Sequence, residues 1–197
     1  MSTPPARAWQ RMLSGRRLDL LDPSPLDIEI ADIALGLSRV ARWNGQTTGD
    51  HGFSVAQHSL LVVDLVVEAN RRLPRQARLA ALLHDAPEYV TSDLITPFKA
   101  AIGDRYKGIE HRVAEAVHLR FGLPARLPPE WEAAIKRADG TAAYIEAVQL
   151  AGFSPPEARR VLGYRRSAPE IELSPWPVEE ARCAFMERFR KLSGDRS

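Results

Sequence analysis

Apolar residues recur at intervals of three and four positions along most of this chain, which is the spacing of amphipathic helices. The polar positions between them leave no alternating, strand-like pattern of comparable weight. The stripes that predict helices cover residues 27–43, 54–65, 75–86, 104–121, 128–150 and 178–192, with a short helix over 157–163. The sequence therefore predicts an all-α fold.

Turn and capping residues mark several of the predicted helix ends. Asn44-Gly45 is a strong stop after the first helix, and Ser54 is a suitable N-cap for the second. Thr96-Pro97 is expected to close the short helical piece that follows the third helix. These signals divide the chain into separate helices that must pack on one another to bury their apolar faces.

The helices are predicted to form one domain over residues 1–197, because this length supports a single sizeable core. The core is residues 27–150. Residues 1–26, which include a proline-rich turn cluster, are expected to form an arm packed on the domain surface. Residues 151–197 follow a glycine and proline break and are expected to form a C-terminal helical extension.

Composition narrows the function classes. The hydrophobic share is 45%, the charged share 26% and the net charge +2, so no nucleic-acid partner is predicted. Cys183 is the one cysteine, which rules out an internal disulfide and fits a reducing compartment. No apolar run approaches the roughly 18 residues of a membrane span, and the N-terminus has no apolar signal core. The sequence predicts a cytoplasmic protein without a membrane partner.

The adjacent pair His84-Asp85 is the most informative local feature. Pro87 disfavours helical dihedral angles at Ala86, so the pair is expected at the end of an apolar helix, beside a break. Buried polar groups are costly unless they are paired. A divalent metal ion would satisfy both side chains.

Two further candidate ligands lie on other predicted helices. His58 falls on the apolar face of the second helix, where on its own it would be interpreted as a core histidine bonded to a backbone carbonyl. Asp139 lies beside the apolar face of the helix over 128–150. With His84 and Asp85, they make two imidazoles and two carboxylates. This set suits one divalent ion, with Co, Mn, Mg, Zn, Fe and Ni all open.

Glu88 and Asp93 are candidate catalytic carboxylates. Glu88 lies four residues beyond His84, which would put both on one face of a continuous helix, but Pro87 leaves that geometry open. A metal ion acidifies bound water and polarises a phosphoryl oxygen, and a neighbouring carboxylate can serve as general base. Asp93, otherwise a helix N-cap, could position the water or protonate the leaving oxygen. The set best fits hydrolysis of a phosphate ester.

Candidate substrate-binding residues lie at the end of the first helix and beyond Asp93. Arg42 offers a planar cation for phosphate, and Trp43 offers a flat face for a base or sugar. Lys99 and Arg39 are further phosphate candidates. The alternatives are surface charge for the cations and helix-end packing for Trp43.

Four blocks of sequence together resemble the HD-domain metal-dependent phosphohydrolases. Within that superfamily the chain resembles the YfbR-type 5′-deoxynucleotidases and related phage HD hydrolases. The resemblance covers about residues 27–150 and is carried, in order, by Ser54-Val55-Ala56-Gln57-His58-Ser59, Leu83-His84-Asp85-Ala86-Pro87-Glu88, Ser92-Asp93-Leu94-Ile95-Thr96-Pro97-Phe98-Lys99 and Lys136-Arg137-Ala138-Asp139. An HD dipeptide alone is common by chance, whereas four ordered blocks are specific.

The resemblance implies an all-α HD-domain bundle with a metal in its middle. The metal ligands that it implies are His58, His84, Asp85 and Asp139. Its catalytic carboxylates would be Glu88 and Asp93, and an Arg-Trp pair like Arg42-Trp43 would contact the nucleotide. Relatives form dimers or larger homo-oligomers, so a homo-oligomer is expected.

Some positions depart from the YfbR pattern and bear on the substrate. The loop before His58 differs, and Gln57 stands where the YfbR type has an acidic residue. The leading hypothesis is a nucleotidase acting on a deoxynucleoside 5′-monophosphate. The alternatives are a deoxynucleoside triphosphate triphosphohydrolase or other nucleotide phosphohydrolase, a non-catalytic nucleotide sensor, and a structural helical module. Glu88 and Asp93 argue against the sensor, and metal content would separate the helical module.

A second metal site at His111 and His118 is disfavoured. The two lie seven residues apart, on one helical face, but His111 stands between Glu110 and Arg112 in a charged stretch typical of a solvated surface.

Overall fold

A computed structural model describes residues 7–102 and 104–194 of the chain. Its α-helices are α1 Ile30–Arg39, α2 Val55–Ala69, α3 Arg75–Leu82, α4 Glu88–Thr91, α5 Thr96–Ile102, α6 Asp104–Arg120, α7 Pro129–Gln149, α8 Pro155–Leu162 and α9 Val178–Ser193. A two-stranded hairpin and two 3₁₀ helices, Pro25–Asp27 and Arg42–Gly45, are also present. The all-α prediction is confirmed. Within the described ranges, no helix is long and apolar enough to cross a bilayer.

Helix α2 is the centre of the bundle. Residues 53–63 are buried without interruption, because this segment is apolar on nearly every side rather than along one stripe. The helix packs against α1, α3, α7 and α9. Ser54 caps its start by accepting a hydrogen bond from the backbone N–H of Gln57, as predicted. A polar side chain such as His58 on this helix must therefore find partners inside the protein.

Helix α1 is shorter than the stripe over 27–43 predicts. Its last residue is Arg39, and Val40 is already extended. The carbonyl of Val40 accepts a 3.0 Å hydrogen bond from the backbone N–H of Val55. This bond ties the segment after α1 to the start of α2. The apolar residues after Arg39 therefore belong to a short connection that leads into the 3₁₀ helix Arg42–Gly45.

The structure also revises the region between α3 and α5. Helix α3 ends at Leu82, so the break ahead of Pro87 is confirmed although the helix is shorter than predicted. The expectation that Thr96-Pro97 closes a helical piece is wrong, because these residues begin α5. Proline suits the first turn of a helix, where its missing N–H would have no intrahelical acceptor.

The N-terminal arm is an antiparallel hairpin of β1 Trp9–Arg11 and β2 Arg17–Asp19, which the sequence pattern did not predict. Leu18 is fully buried in the main core. In the turn, Ser14 donates to the buried carboxylate of Asp32 through its backbone N–H at 3.0 Å and through its hydroxyl. One apolar and one polar anchor thus hold the arm on the domain.

The C-terminal extension folds back on α2. The side-chain NH₂ of Gln57 donates to the carbonyl of Ser174 at 2.7 Å, and its carbonyl accepts from the backbone N–H of Trp176 at 2.9 Å. Helix α9 then packs across α1 and α3 and buries Phe185 and Phe189. Gln57 therefore holds the C-terminal extension on α2.

Helices α1 and α4 approach each other closely at Gly36. A methyl group at this position would lie 2.7 Å from Cβ of Tyr89 and 3.0 Å from its Cα. Tyr89 directly follows Glu88, so the missing side chain of Gly36 allows the helix that carries Glu88 to lie against α1.

We expect Gly36→Ala to lower the free energy of unfolding by about 1–3 kcal/mol, because the added methyl forces the two backbones apart. Gly108→Ala is the matched control. Its methyl in α6 would meet nothing closer than a terminal nitrogen of Arg112 at 3.7 Å. The control should be neutral or stabilising by about 0.4–1 kcal/mol. Urea unfolding of metal-free protein measures both, and equal midpoints would contradict the close packing.

Candidate metal centre and active site

Two helices and one turn bring the candidate metal ligands to the middle of the bundle. His58 comes from the buried first turn of α2, and Asp139 comes from α7, which packs directly on α2. His84 and Asp85 lie in the hydrogen-bonded turn between α3 and α4, directly after the buried Leu83. The break ahead of Pro87 therefore points the His-Asp pair at the neighbouring helices.

The ligand atoms of these residues converge. Nε2 of His58 lies 3.2 Å from Oδ1 of Asp139 and 3.4 Å from Oδ2 of Asp85. Nε2 of His84 lies 3.2 Å from the same Asp85 oxygen. One ligand atom each from His58, His84 and Asp139 falls within a mutual distance of 4.8 Å. This is the spacing that a single ion with nitrogen and oxygen ligands requires.

The two imidazoles fit a metal in a second respect. Nε2 of His58 and Nε2 of His84 are both buried, and neither makes a hydrogen bond of acceptable geometry with any described residue. Each Nδ1 faces an oxygen acceptor, the carbonyl of Ala81 for His84 at 2.8 Å and the carboxylate of Glu146 for His58 at 2.5 Å. An Nδ1 that donates leaves a lone pair on Nε2, which is the form that binds metal.

Negative charge is concentrated at this centre. The five carboxylates around it belong to Asp85, Glu88, Asp93, Asp139 and Glu146. Burial and the Arg42 guanidinium both oppose a proton on His58, but the carboxylates of Glu146 and Asp139 raise its pKa to about 10. The negative charge of the pocket is therefore not balanced by Arg42 alone. A divalent ion would balance it in place of the proton on His58.

Glu88 is the first residue of α4 and lies near Asp85, Asp93 and Arg42. It is buried, and its Oε2 has no hydrogen-bond partner among the described residues. Burial, with the carboxylates of Asp85 and Asp93, raises the pKa of Glu88 to about 9. Nζ of Lys99 lies 3.6 Å from its other oxygen. Glu88 is thus a desolvated carboxyl that keeps its proton at neutral pH unless a nearby positive charge lowers its pKa.

Asp93 is not a helix N-cap. Its Oδ2 lies 3.4 Å from Nη1 of Arg42, and burial raises the pKa of its carboxyl. The preceding Ser92 has φ 64° and ψ 157°, a conformation that is costly for any residue except glycine. The chain therefore bears backbone strain where it turns Asp93 toward Arg42.

Arg42 and Trp43 reach the centre from the 3₁₀ helix after α1. Nε of Arg42 lies 3.2 Å from Oε2 of Glu146, and the indole N–H of Trp43 donates to the same oxygen at 3.0 Å. The Trp43 ring also packs on Phe153 at 5.8 Å. Trp43 and Asn44 have φ of 57° and 52°, in the left-handed region that non-glycine residues rarely adopt. Arg42 and Trp43 are therefore held in position before any ligand binds.

Glu146 is the residue that sequence reasoning missed. It is fully buried on α7, seven residues beyond Asp139 and so on the same helical face. The sequence shows only a charge within Tyr144-Ile145-Glu146-Ala147, and the structure shows that this run is buried. A lone helical glutamate is usually solvated, and only the contact with His58, 88 residues away, gives this one a role.

Other candidates lie away from the centre. Arg39 is exposed on α1. His111 is exposed and pairs with Glu115 at 3.2 Å, whereas His118 bonds to the carbonyl of Ala125 at 3.0 Å. In the part of the chain that the structure describes, His111 and His118 therefore do not form a metal cluster.

An open cavity of about 530 Å³ adjoins the centre. Its wall includes His84 and Asp85, the two lysines Lys99 and Lys107, and Glu110 of α6. Lys99 also pairs with Glu110 at 3.4 Å. The cavity gives a small anionic molecule access to the convergent imidazoles and carboxylates.

Comparison with known proteins gives a consistent family match. The family profile of the YfbR-like 5′-deoxynucleotidases matches residues 34–152, which include every residue of the centre described above. An uncharacterized protein of Rhodobacter capsulatus is 59% identical over 198 residues, covering 95% of this chain and 99% of that protein. The uncharacterized protein YfdR of Escherichia coli is 32% identical over 167 residues, covering 85% of each chain.

We expect the protein to bind one divalent ion at this centre, and Asp139→Asn to weaken that binding by more than about 100-fold, beyond the loss typical of an outer-shell change. Metal at 100 times its dissociation constant should stabilise the wild type by about 2.7 kcal/mol. Metal analysis and thermal melting before and after chelation measure both effects. His111→Ala, which removes an exposed histidine outside the centre, is the control. Equal binding by Asp139→Asn and the control would exclude this metal site.

Proposed function

We propose a specific activity for this chain, which belongs to the YfbR-like 5′-deoxynucleotidase family: hydrolysis of a deoxynucleoside 5′-monophosphate to the nucleoside and phosphate. Family membership gives the coarser statement, that the chain is a metal-dependent phosphohydrolase of the HD type. The observation that carries the proposal is the convergence of two unpartnered imidazole nitrogens with carboxylates beside Arg42.

In this proposal His58, His84, Asp85 and Asp139 hold the ion. When bound, a divalent ion supplies Lewis acidity toward a phosphoryl oxygen and acidifies water. The residues fit because both Nε2 atoms are buried without a hydrogen bond and face two carboxylates. Which metal is native stays open, since this ligand set suits several.

Arg42 binds the phosphate in this proposal. Its guanidinium is buried among carboxylates that hold it protonated and oriented, and a planar cation matches two phosphate oxygens at once. Lys99 adds a second positive charge at the cavity wall. An incoming phosphate would otherwise be repelled by the carboxylates of the centre. These two cations therefore favour a phosphorylated substrate over a neutral one.

Glu88 and Asp93 move the protons. Glu88 accepts a proton from the attacking water at its buried Oε2, while the water oxygen forms the new bond to phosphorus. The bond from phosphorus to the 5′ oxygen breaks, and Asp93 gives its proton to that leaving oxygen. Burial raises the pKa of Asp93, which favours the protonated form that an acid needs. Burial also raises the pKa of Glu88, and the positive charge of a bound ion would lower it, so that Glu88 could accept the proton.

Trp43 offers its ring to the nucleoside in this proposal. Its indole N–H already donates to Glu146, so the contact with a base or sugar would be stacking rather than a hydrogen bond. Every base has a flat face. We therefore expect weak discrimination among bases by this residue.

One observation favours a second candidate, a triphosphohydrolase acting on deoxynucleoside triphosphates. The cavity that continues from His84 and Asp85 has Lys99 and Lys107 in its wall, where further phosphates could lie. A homo-oligomer and a cytoplasmic location stay predictions.

The activity can be tested by assaying phosphate release from metal-stripped protein to which Co, Mn, Mg or Zn is returned. The panel contains deoxy- and ribonucleoside mono- and triphosphates. Orthophosphate from the deoxy monophosphates alone is the expected result. Inorganic triphosphate from a deoxynucleoside triphosphate would favour the second candidate. If no substrate in the panel is hydrolysed although metal is bound, both proposed activities are contradicted and a nucleotide sensor is favoured.

We expect Glu88→Gln to reduce kcat by about 10²–10⁴, the usual scale for loss of a general acid or base, because the amide cannot accept the proton. Metal content should be retained, since Glu88 is not among the proposed ligands. Glu179→Gln is the control, as Glu179 pairs with Arg182 on the exposed surface of α9. Turnover equal to that of the control would remove Glu88 from the chemistry.

A further inference from the structure

Glu146 is a buried carboxylate that the reaction outlined above does not use. Its side chain is fully inaccessible to solvent. Three nitrogen atoms from other side chains contact its two carboxylate oxygens. Oε1 faces Nδ1 of His58 at 2.5 Å, while Oε2 accepts from the indole N–H of Trp43 at 3.0 Å and from Nε of Arg42 at 3.2 Å. The Glu146 carboxylate thus contacts a proposed metal ligand, His58, and the two residues proposed to bind the nucleotide, Arg42 and Trp43.

We propose that Glu146 is a positioning residue that sets the metal-binding form of His58 and the orientation of Arg42 and Trp43 together. A carboxylate only accepts hydrogen bonds, so it fixes the proton of His58 on Nδ1 and leaves Nε2 free for the ion. The same acceptor-only character holds the donors of Arg42 and Trp43 in place. The kinetic part of this inference rests on the proposed function, whereas the metal part does not.

The strained backbone supports this role. Trp43 has φ 57°, and such a conformation in a bulky residue persists only when surrounding contacts hold it. The hydrogen bond to Glu146 is one such contact, and packing on Phe153 is another. Charge supports it as well, because the buried Glu146 carboxylate forms an ion pair with Arg42, whose Nε lies 3.2 Å from Oε2.

Glutamine cannot replace this carboxylate, although its shape is the same. It has one acceptor oxygen and an NH₂ group that only donates. If its oxygen faces Trp43 and Arg42, the NH₂ meets Nδ1 of His58 and drives the proton to Nε2, where it competes with the metal. If its oxygen faces His58, the NH₂ meets the donors of Arg42 and Trp43 and displaces them. Either placement disturbs one function.

The test is Glu146→Gln in the full-length chain. Zinc affinity is measured on metal-free protein by competition with a chelator, and KM is measured at saturating zinc with a deoxynucleoside 5′-monophosphate. We expect zinc affinity to fall by about 10–100-fold, the usual loss for an outer-shell partner, or KM to rise by about tenfold, or both. Zinc affinity and KM both within twofold of wild type would overturn the proposal.

Two further variants separate positioning from general loss of structure. Asp32→Asn neutralises another buried carboxylate, which holds Ser14 outside the centre, and should leave zinc affinity and KM unchanged even if it lowers stability. Trp43→Phe removes one donor to Glu146 but keeps a ring, so it should raise KM and leave zinc affinity unchanged. A fall in zinc affinity in Asp32→Asn equal to that in Glu146→Gln would also overturn the proposal.

Wild-type protein provides a measurement that does not depend on how the variants fold. In the zinc-loaded chain, NMR should show two slowly exchanging imidazole Nδ1–H protons, from His58 and His84. The His58 proton should lie further downfield because its acceptor is a carboxylate rather than the carbonyl of Ala81. Absence of that signal would contradict the proposed hydrogen bond. If wild type binds zinc but hydrolyses no nucleotide, the proposed function fails while the zinc and NMR results still decide the role of Glu146.

Discussion

The placement of several carboxylates in a desolvated interior is the constraint on which the rest of this structure depends. Like charges held out of water repel strongly, so they can coexist only with positive partners at short range. Arg42 is one such partner, because its guanidinium pairs with Glu146 and Asp93. The remaining positive charge comes from a protonated His58, or would come from a bound metal ion. The helices are arranged around this requirement, with α2 buried on nearly all sides to carry His58 into the middle.

The parts of the site that sequence predicted are those with a local signal. His84-Asp85 stands beside a proline, and the helix of His58 has a capped start at Ser54. His58 itself is a candidate ligand only together with His84-Asp85. Glu146 could not be predicted, because its function comes from contacts with His58, Arg42 and Trp43, each on a distant part of the chain. A glutamate in the middle of a helix has no local feature that separates a buried acceptor from a solvated charge.

The same distinction explains the errors in the fold. Val40 and Ala41 continue the apolar spacing of α1. Their backbone pairs with the start of α2, and this pairing holds them in an extended conformation instead of a helical one. Thr96-Pro97 carries a stop signal, yet proline is equally suited to a helix start, and only the packing decides. The hairpin of the arm has strands of three residues, which are too short for an alternating pattern and depend on anchors such as Leu18.

The hydrogen bonds of Gln57 bear on how this domain should be delimited. The match to the family profile ends at residue 152, but the side chain next to His58 is bonded to residues 174 and 176, and α9 covers α1 and α3. The boundary of family similarity is therefore not a boundary of cooperative folding. A shortened protein cut at residue 152 would expose the apolar flank of the very helix that carries His58. The segment beyond the profile match is therefore a structural support of the core, because it keeps that flank covered.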